Sequence, residues 1–404
     1  MSGTDFQSEK KRFLFLNHWA RYMGGAEFSL LDLITGFEGK GDIYLSTSES
    51  GALLDHLKQS SIRCVLHTCS PNLMNIKRNN LLLSALINFR SVFAYFKYIL
   101  RIRKFILELQ PHCIHANVPK SHITLFIMMY LGYTGIGFIH MREIFTRNSF
   151  AYLLYRFLFR SSRLSVIAIS EAVKKSLPGN MQSTAEVIYN GVRIPSRTAA
   201  HSISYPIRFL YLGRVVPWKG CHLLIRAFSL LNNDLIRGKK VHLTITGATL
   251  YWNDHYRHKL ITLINDLELS EIITLNDVTN QPYLELQQHH ILCMASASEP
   301  FGRVAVEAHS CGLPVIGFNS GGLPEVVDNG KTGFLVPEGN INALTQVIEK
   351  LIHSPEQIPI LGENGKKRVE LLFNSDNQVP KLVNFIINRL NKIHRRKHGI
   401  TLCF

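Results

Sequence analysis

Four charged residues in the second half of the chain are spaced for work on an anion that also carries hydroxyls. In FLYLGRVVPWKGCHLLIRAF, Arg214 ends a strand-like run, Lys219 follows five residues later, and Gly220 opens a helix. An arginine binds a diphosphate bidentately, a lysine acts as a point charge, and a helix N-terminus adds unpaired N–H groups. Taken alone, the two cations read more readily as solvated loop residues. The second pair is Glu299 and Glu307, eight positions apart in SASEPFGRVAVEAHSCGLPVIGFNSGGLPEVV. The pattern is strand, Ser-rich turn, Pro300-Phe301-Gly302, then a helix from about Val304. It sets Glu299 in the loop and Glu307 about one turn into the helix. Buried carboxylates at such a mouth are costly unless paired or hydrogen-bonded. Here they can accept bonds from sugar hydroxyls while amides near Gly302 meet an anion. Glu307 alone reads as a surface residue; the combination is far more specific. In the first half, FLFLNHWARYMGGAEFSLLDL places Gly24 and Gly25 just before a helix, which lets backbone approach a phosphate; a plain glycine turn is the other reading.

The elements that would position these residues alternate. Phe13–Leu16, Asp42–Ser46, Cys113–His115, Gly137–His140 and Ser165–Ile169 read as strands separated by helix-length stretches, including Glu27–Phe37. Ser121–Ile139 is almost long enough to span a bilayer, but the Gly132–Gly135 turn breaks it into a buried helix and a buried strand. A polar linker over 193–205 follows, and the rhythm restarts. Phe209–Leu212, Val241–Thr246, Ile291–Met294 and Pro314–Gly317 are strands, and Cys221–Leu231 is a helix. This βαβ alternation predicts an α/β chain with two doubly wound, Rossmann-like domains. Ligands bind such sheets at the C-terminal strand ends, so two domains facing each other would enclose a cleft there.

The chain has 404 residues, 46% hydrophobic and 18% charged, which excludes a disordered or collagen-like chain. The polar N-terminus and the short apolar runs predict neither a signal peptide nor a polytopic membrane protein, and hence a cytoplasmic location. The seven cysteines are scattered and lack a C-x-x-C, so reduced, mostly buried thiols are expected. Net charge is +16, and 24 Lys+Arg against 12 Asp+Glu place most of it in residues 1–200. His56–Leu107 contains no acidic residue at all. Such a surface favours anionic partners.

The motifs together resemble the retaining GT-B glycosyltransferases of family 4. The resemblance covers nearly the whole chain: the Gly-Gly-x-Glu turn, His140, VIYNGV at 187–192, Arg214 and Lys219, the Glu299–Glu307 spacing, and NSGGLPEVV followed by GKTGFLV. It implies domains over 1–195 (acceptor) and 206–372 (nucleotide-sugar donor), with a helix in 376–396, roughly Val379–Lys392, returning to the first domain. It implies Arg214 and Lys219 on the donor diphosphate, Glu307 on the ribose and Glu299 on the transferred sugar, with the Phe301 and Gly302 backbone nearby. It also implies Gly24 and Gly25 near the phosphates, His140 in the active site, and Leu323 with Pro324 shaping the base pocket. The nucleotide-sugar, UDP- or GDP-linked, is a substrate; no cofactor and no metal are expected, and the chain has no Asp-x-Asp. The acceptor would be a glycan or lipid-linked, in surface polysaccharide or glycolipid assembly. Two departures stand out: Asn276 replaces a frequent glycine near the base, and His140 is followed by Met-Arg-Glu rather than directly by an acidic residue.

Other readings are weighed beside this one. Asn329–Thr332 ends like a P-loop, but Glu325 stands where that motif needs glycine. A nucleotide-sugar epimerase or a phosphorylase of similar architecture would share much of the pattern. A nucleic-acid binder would fit the charge but leaves the donor-site constellation unexplained and shows no recognised module, so no nucleic acid is expected. His255, His258, His289 and His290 read as surface or packing residues rather than metal ligands. The basic aromatic stretch 75–110 and Tyr152–Arg160 read either as core-facing helices or as surfaces for anionic lipid at the inner face of a membrane.

Overall fold

The computed structural model describes residues 10–21, 23–58, 60–68, 89–195, 203–248 and 254–397; the side chains of 89–92, 254 and 393–397 are not described. Residues 75–88 of the basic stretch, the middle of the 193–205 linker, Cys69 and Cys403 lie outside the described residues.

The contacts divide the chain into two units. The first holds residues 1–169, 174–188 and 378–404. Its parallel sheet has seven strands, β1 (Arg12–Asn17), β2 (Asp42–Thr47), β3 (Arg63–Leu66), β4 (Cys113–Ala116), β5 (Ile136–Met141), β6 (Leu164–Ala168) and β7 (Ala185–Val187), in the order β3-β2-β1-β4-β5-β6-β7. The second holds 170–173 and 189–377. Its six parallel strands are β8 (Ile207–Leu212), β9 (Val241–Thr246), β10 (Ile273–Asn276), β11 (Ile291–Met294), β12 (Val315–Phe318) and β13 (Gly333–Val336), in the order β10-β9-β8-β11-β12-β13.

Central strands are apolar on both faces, as helices on both sides of a parallel sheet require. Phe13, Leu14 and Phe15 in β1 and Phe209 and Leu210 in β8 are buried. The helix Ser375–Lys397 lies mostly in the first unit. Val383, Ile386 and Leu390 join that unit's core, Phe385 meets Phe138 edge-on, and Arg389 donates to Ser165 Oγ at 2.9 Å.

The contact boundary falls at Tyr189 rather than at 195. The reason is aromatic: Tyr189, Phe301 and Phe373 form a cluster with centroids 5.2–5.7 Å apart, and Val192 bridges to Asn374. Cys113, Cys221, Cys293 and Cys311 are buried thiols, whereas Cys64 is exposed. His289 and His290 are packing residues: His289 bridges Thr244 and the Glu285 carbonyl, and His290 pairs with Arg208. His255 and His258 are exposed. Among the described residues no helix is long and apolar enough to cross a membrane.

Candidate active site

The strand order of each sheet reverses at one point, between β1 and β4 in the first unit and between β8 and β11 in the second. Loops part at such a point, and ligands of open sheets bind beside it.

In the second unit the loops after β8, β11 and β12 carry the sequence-predicted donor residues. Arg214 is exposed just past β8, and Tyr211 Oη donates to its backbone carbonyl at 2.7 Å. Among the described residues its guanidinium makes no hydrogen bond. A single 3₁₀ turn, Pro217–Lys219, then sets Lys219 before the helix Cys221–Ser229. Gly220 joins them at φ 73°, and a Cβ there would run into the carbonyl oxygen of Ala295. Only glycine lets the β8 loop press this closely on the β11 loop. The result is an ion pair absent from the sequence reading: Lys219 Nζ donates to Glu299 Oε2 at 2.6 Å, with the two side chains 19% and 9% exposed.

Glu299 is held from behind. The Gly322 N–H donates to its backbone carbonyl at 2.7 Å. Gly302, at φ 91°, caps the helix Arg303–Ser310. Glu307 sits on that helix, where Arg303 Nε donates to its Oε1 at 2.9 Å. Phe301 points its ring into the aromatic cluster, so only its backbone is available to a ligand. Leu323 is buried and would touch a Cβ at Gly302. The structure thus joins Lys219 to Glu299, and it gives Glu307 a partner of its own in Arg303.

In the first unit the helix Gly25–Gly36 starts after β1, and Gly24 and Gly25 are exposed at its N-terminus. Glu27 reaches back to accept the Gly24 N–H at 3.2 Å, so one of the free donors there is already engaged. Burial raises the Glu27 pKa. His140 is at the end of β5 and 1% exposed. Burial first, then the Arg142 charge and the neighbouring His115 and His122 rings, hold its pKa well below 6.5, so it is neutral at physiological pH. Its Nδ1 lies 3.2 Å from His115 Nε2 and 3.3 Å from Arg142 Nη2.

Sequence reasoning missed Arg142 and Asn117. Arg142 Nε and Nη2 both donate to Asn117 Oδ1, at 3.0 and 2.9 Å, and Nη2 also reaches Ser29 Oγ at 3.2 Å. Asn117 Nδ2 continues to Asn17 Oδ1 at 3.1 Å. The one visible signal was the Met-Arg-Glu after His140.

Two Rossmann-like parallel sheets in one chain, of seven and six strands, are the architecture of the GT-B fold. Residues 198–368 match the model of glycosyl transferases group 1. The chain is 24% identical over 306 residues to the capsular polysaccharide biosynthesis glycosyltransferase CapM of Staphylococcus aureus, covering 70% of this chain and 79% of CapM. It is 31% identical over 166 residues to a GDP-mannose-dependent alpha-(1-6)-phosphatidylinositol monomannoside mannosyltransferase of Mycolicibacterium smegmatis, covering 38% of this chain and 41% of that enzyme. Anabaena HepE in complex with UDP and glucose shares the fold at a TM-score of 0.78 and 22% identity, over 94% of this chain and all of that one.

Proposed function

We propose that this chain moves a sugar from a nucleoside-diphosphate donor to a hydroxyl of a glycan or lipid-linked acceptor, with retention and without a metal, in surface polysaccharide or glycolipid synthesis. The Lys219–Glu299 ion pair at the β8/β11 switch point carries the reading, because it sets a largely buried cation against a carboxylate at the C-terminal ends of the strands. Arg214, in the same loop, adds a guanidinium without a partner among the described residues. As the glycosyl–phosphate bond breaks, positive charge grows on the sugar ring and negative charge on the diphosphate. Fixed cations are worth most where such charge develops. The acceptor oxygen bonds to the anomeric carbon, the phosphate oxygen departs with the bond's electron pair, and the acceptor proton passes to that oxygen. Glu307 would hold the ribose and Glu299 the transferred sugar. Gly24 and Gly25 would lie near the phosphates and Leu323 beside the base. UDP-bound HepE and the GDP-mannose-dependent relative leave the base open between uracil and guanine.

The membrane-facing part of the proposal rests on helix Phe89–Leu109. Tyr98, Ile99, Ile102 and Ile106 are core, but Phe93, Phe96, Leu100 and Leu107 are exposed at 46–57%. Spaced by three, four and seven residues, they form a second apolar stripe on the opposite side. Lys97, Arg101, Arg103 and Lys104 border it, and Lys97 lies over the Phe93 ring at 4.5 Å. Phe150, Leu153 and Phe157 repeat the pattern on helix Phe150–Leu158, with Arg160 over Phe157 at 4.3 Å. One face of helix Phe89–Leu109 packs and the other is exposed, which supports the reading of a surface for anionic lipid at the cytoplasmic side of a membrane.

The test is release of free UDP or GDP from a panel of nucleotide-sugars. Release that depends on added acceptor supports transfer; interconversion of the donor sugar without release supports an epimerase and sinks the reading. Flotation with anionic liposomes at low salt tests the lipid surface, which fails if the protein stays at the bottom of the gradient.

A further inference from the structure

Histidine has two neutral forms, and its neighbours select between them. At His140 the selection can be read from the hydrogen-bond network. An arginine side chain has donors only, so the Nδ1 that faces Arg142 Nη2 at 3.3 Å must present a lone pair. The same Nδ1 faces His115 Nε2 at 3.2 Å, so His115 must donate there. His115 Nδ1 is then an acceptor, and it has no partner among the described residues. The opposite assignment is worse, because it would aim the Arg142 N–H at an N–H of His140.

Arg142 cannot easily turn away. Asn117 at the end of β4 accepts from its Nε–H, and the two Nη2–H groups are shared among Asn117 Oδ1, Ser29 Oγ on helix Gly25–Gly36 and His140 Nδ1. Asn117 itself is 0% exposed, and its amide is oriented by bonds from Nδ2 to Asn17 Oδ1 and the Ala26 carbonyl. The guanidinium is thus fixed from two strands and a helix. On the other side of the ring, His140 Nε2 is buried and has no partner among the described residues.

We infer that Arg142 is a positioning residue that locks His140 as the Nε2–H tautomer, so that the imidazole offers a hydrogen-bond donor to a substrate oxygen and cannot serve as a proton acceptor. The lock itself is a property of the first unit alone. Its catalytic consequence rests on the sugar-transfer reading above, in which the bound oxygen is a hydroxyl of the donor sugar or a phosphate oxygen. Groups facing the ring are Arg142, His115 and His122, and Arg142 is the charged one; burial and the neighbouring cation keep the ring neutral together.

Nitrogen-15 spectra of histidine-labelled protein read the tautomer directly, with His140→Gln used to assign the signal. The expected result is a protonated Nε2 and a bare Nδ1 from pH 6 to 8. In Arg142→Met the signal should move toward the Nδ1–H form, and in Arg142→Lys, which keeps a donor, it should stay. A protonated Nδ1 in the wild type, or an unmoved tautomer in folded Arg142→Met, overturns the lock. If the protein transfers sugar, Arg142→Met should lower kcat about 10- to 100-fold with donor KM changed less than about threefold, and Arg142→Lys should restore most of it. Equal loss in both variants overturns the positioning role. Absence of any sugar transfer by the wild type would refute the function while leaving the spectroscopic result to stand or fall alone.

Discussion

The two switch points solve the same topological problem with opposite electrostatics. In the second unit the strand ends carry ion pairs, Lys219 with Glu299 and Arg303 with Glu307, beside the exposed Arg214. In the first unit the strand ends carry neutral imidazoles and amides, namely His140, His115, Asn117 and Asn17, arranged around one guanidinium. Charge suits the unit proposed to hold a departing diphosphate, because the stabilisation must grow as the bond breaks. The contrast teaches that a repeated fold need not mean a repeated site.

The comparison breaks most visibly in acid. Burial holds His18, His115 and His122 down to about 3, and His140 well below 6.5. Their folded pKa values are depressed, so the unfolded chain binds more protons below pH 6.5 and stability falls as pH falls toward about 3. Each such histidine removes up to about 1.4 kcal/mol per pH unit in that window. In the second unit His309 is held to about 4 and His289 is lowered less deeply. Hydrogen exchange should therefore show the first unit opening before the second between pH 6 and 4. Simultaneous opening would remove the distinction.

Rate comes next. Lys219→Ala, Arg214→Ala or Glu299→Ala should each cost about two orders of magnitude in kcat, about 2.7 kcal/mol. Steady-state kinetics on purified variants checks it, and near-wild-type turnover removes that residue from the site. Asn117→Ala should instead act on stability, by about 1–3 kcal/mol, because Arg142 and Asn17 lose a buried partner. Urea unfolding measures it; a loss below about 0.5 kcal/mol would mean that the network reorganises freely. Smallest in stability terms is Phe96→Glu on the exposed stripe, within about 0.5 kcal/mol of wild type, while liposome binding should drop several-fold. Unchanged flotation would assign the stripe to some other role.

Buried interior strands were legible from sequence: β9 and β11 match their expected bounds residue for residue. The strands not anticipated, β3, β7, β10 and β13, are short and lie at or next to sheet edges. Three of them carry exposed residues that dilute the apolar signal, as in the largely exposed RCVL of β3. At the site, residue types and spacing exposed Glu299 and Glu307, but pairing was not readable. Lys219 and Glu299 are 80 residues apart, and Asn17 and Asn117 are 100 apart. Such partners meet only once strand order is known, and no local pattern encodes that order. Arg142 stayed hidden for the same reason, although its neighbour His140 had been singled out.

The captive state of Lys219 has a consequence for selectivity. A bare anion that drew the ammonium toward itself would strip Glu299 of its counter-charge in a largely dehydrated spot, a poor exchange. A ligand that brings hydroxyls together with its negative charge can satisfy both partners as it separates them. Inorganic pyrophosphate should for that reason be a feeble occupant.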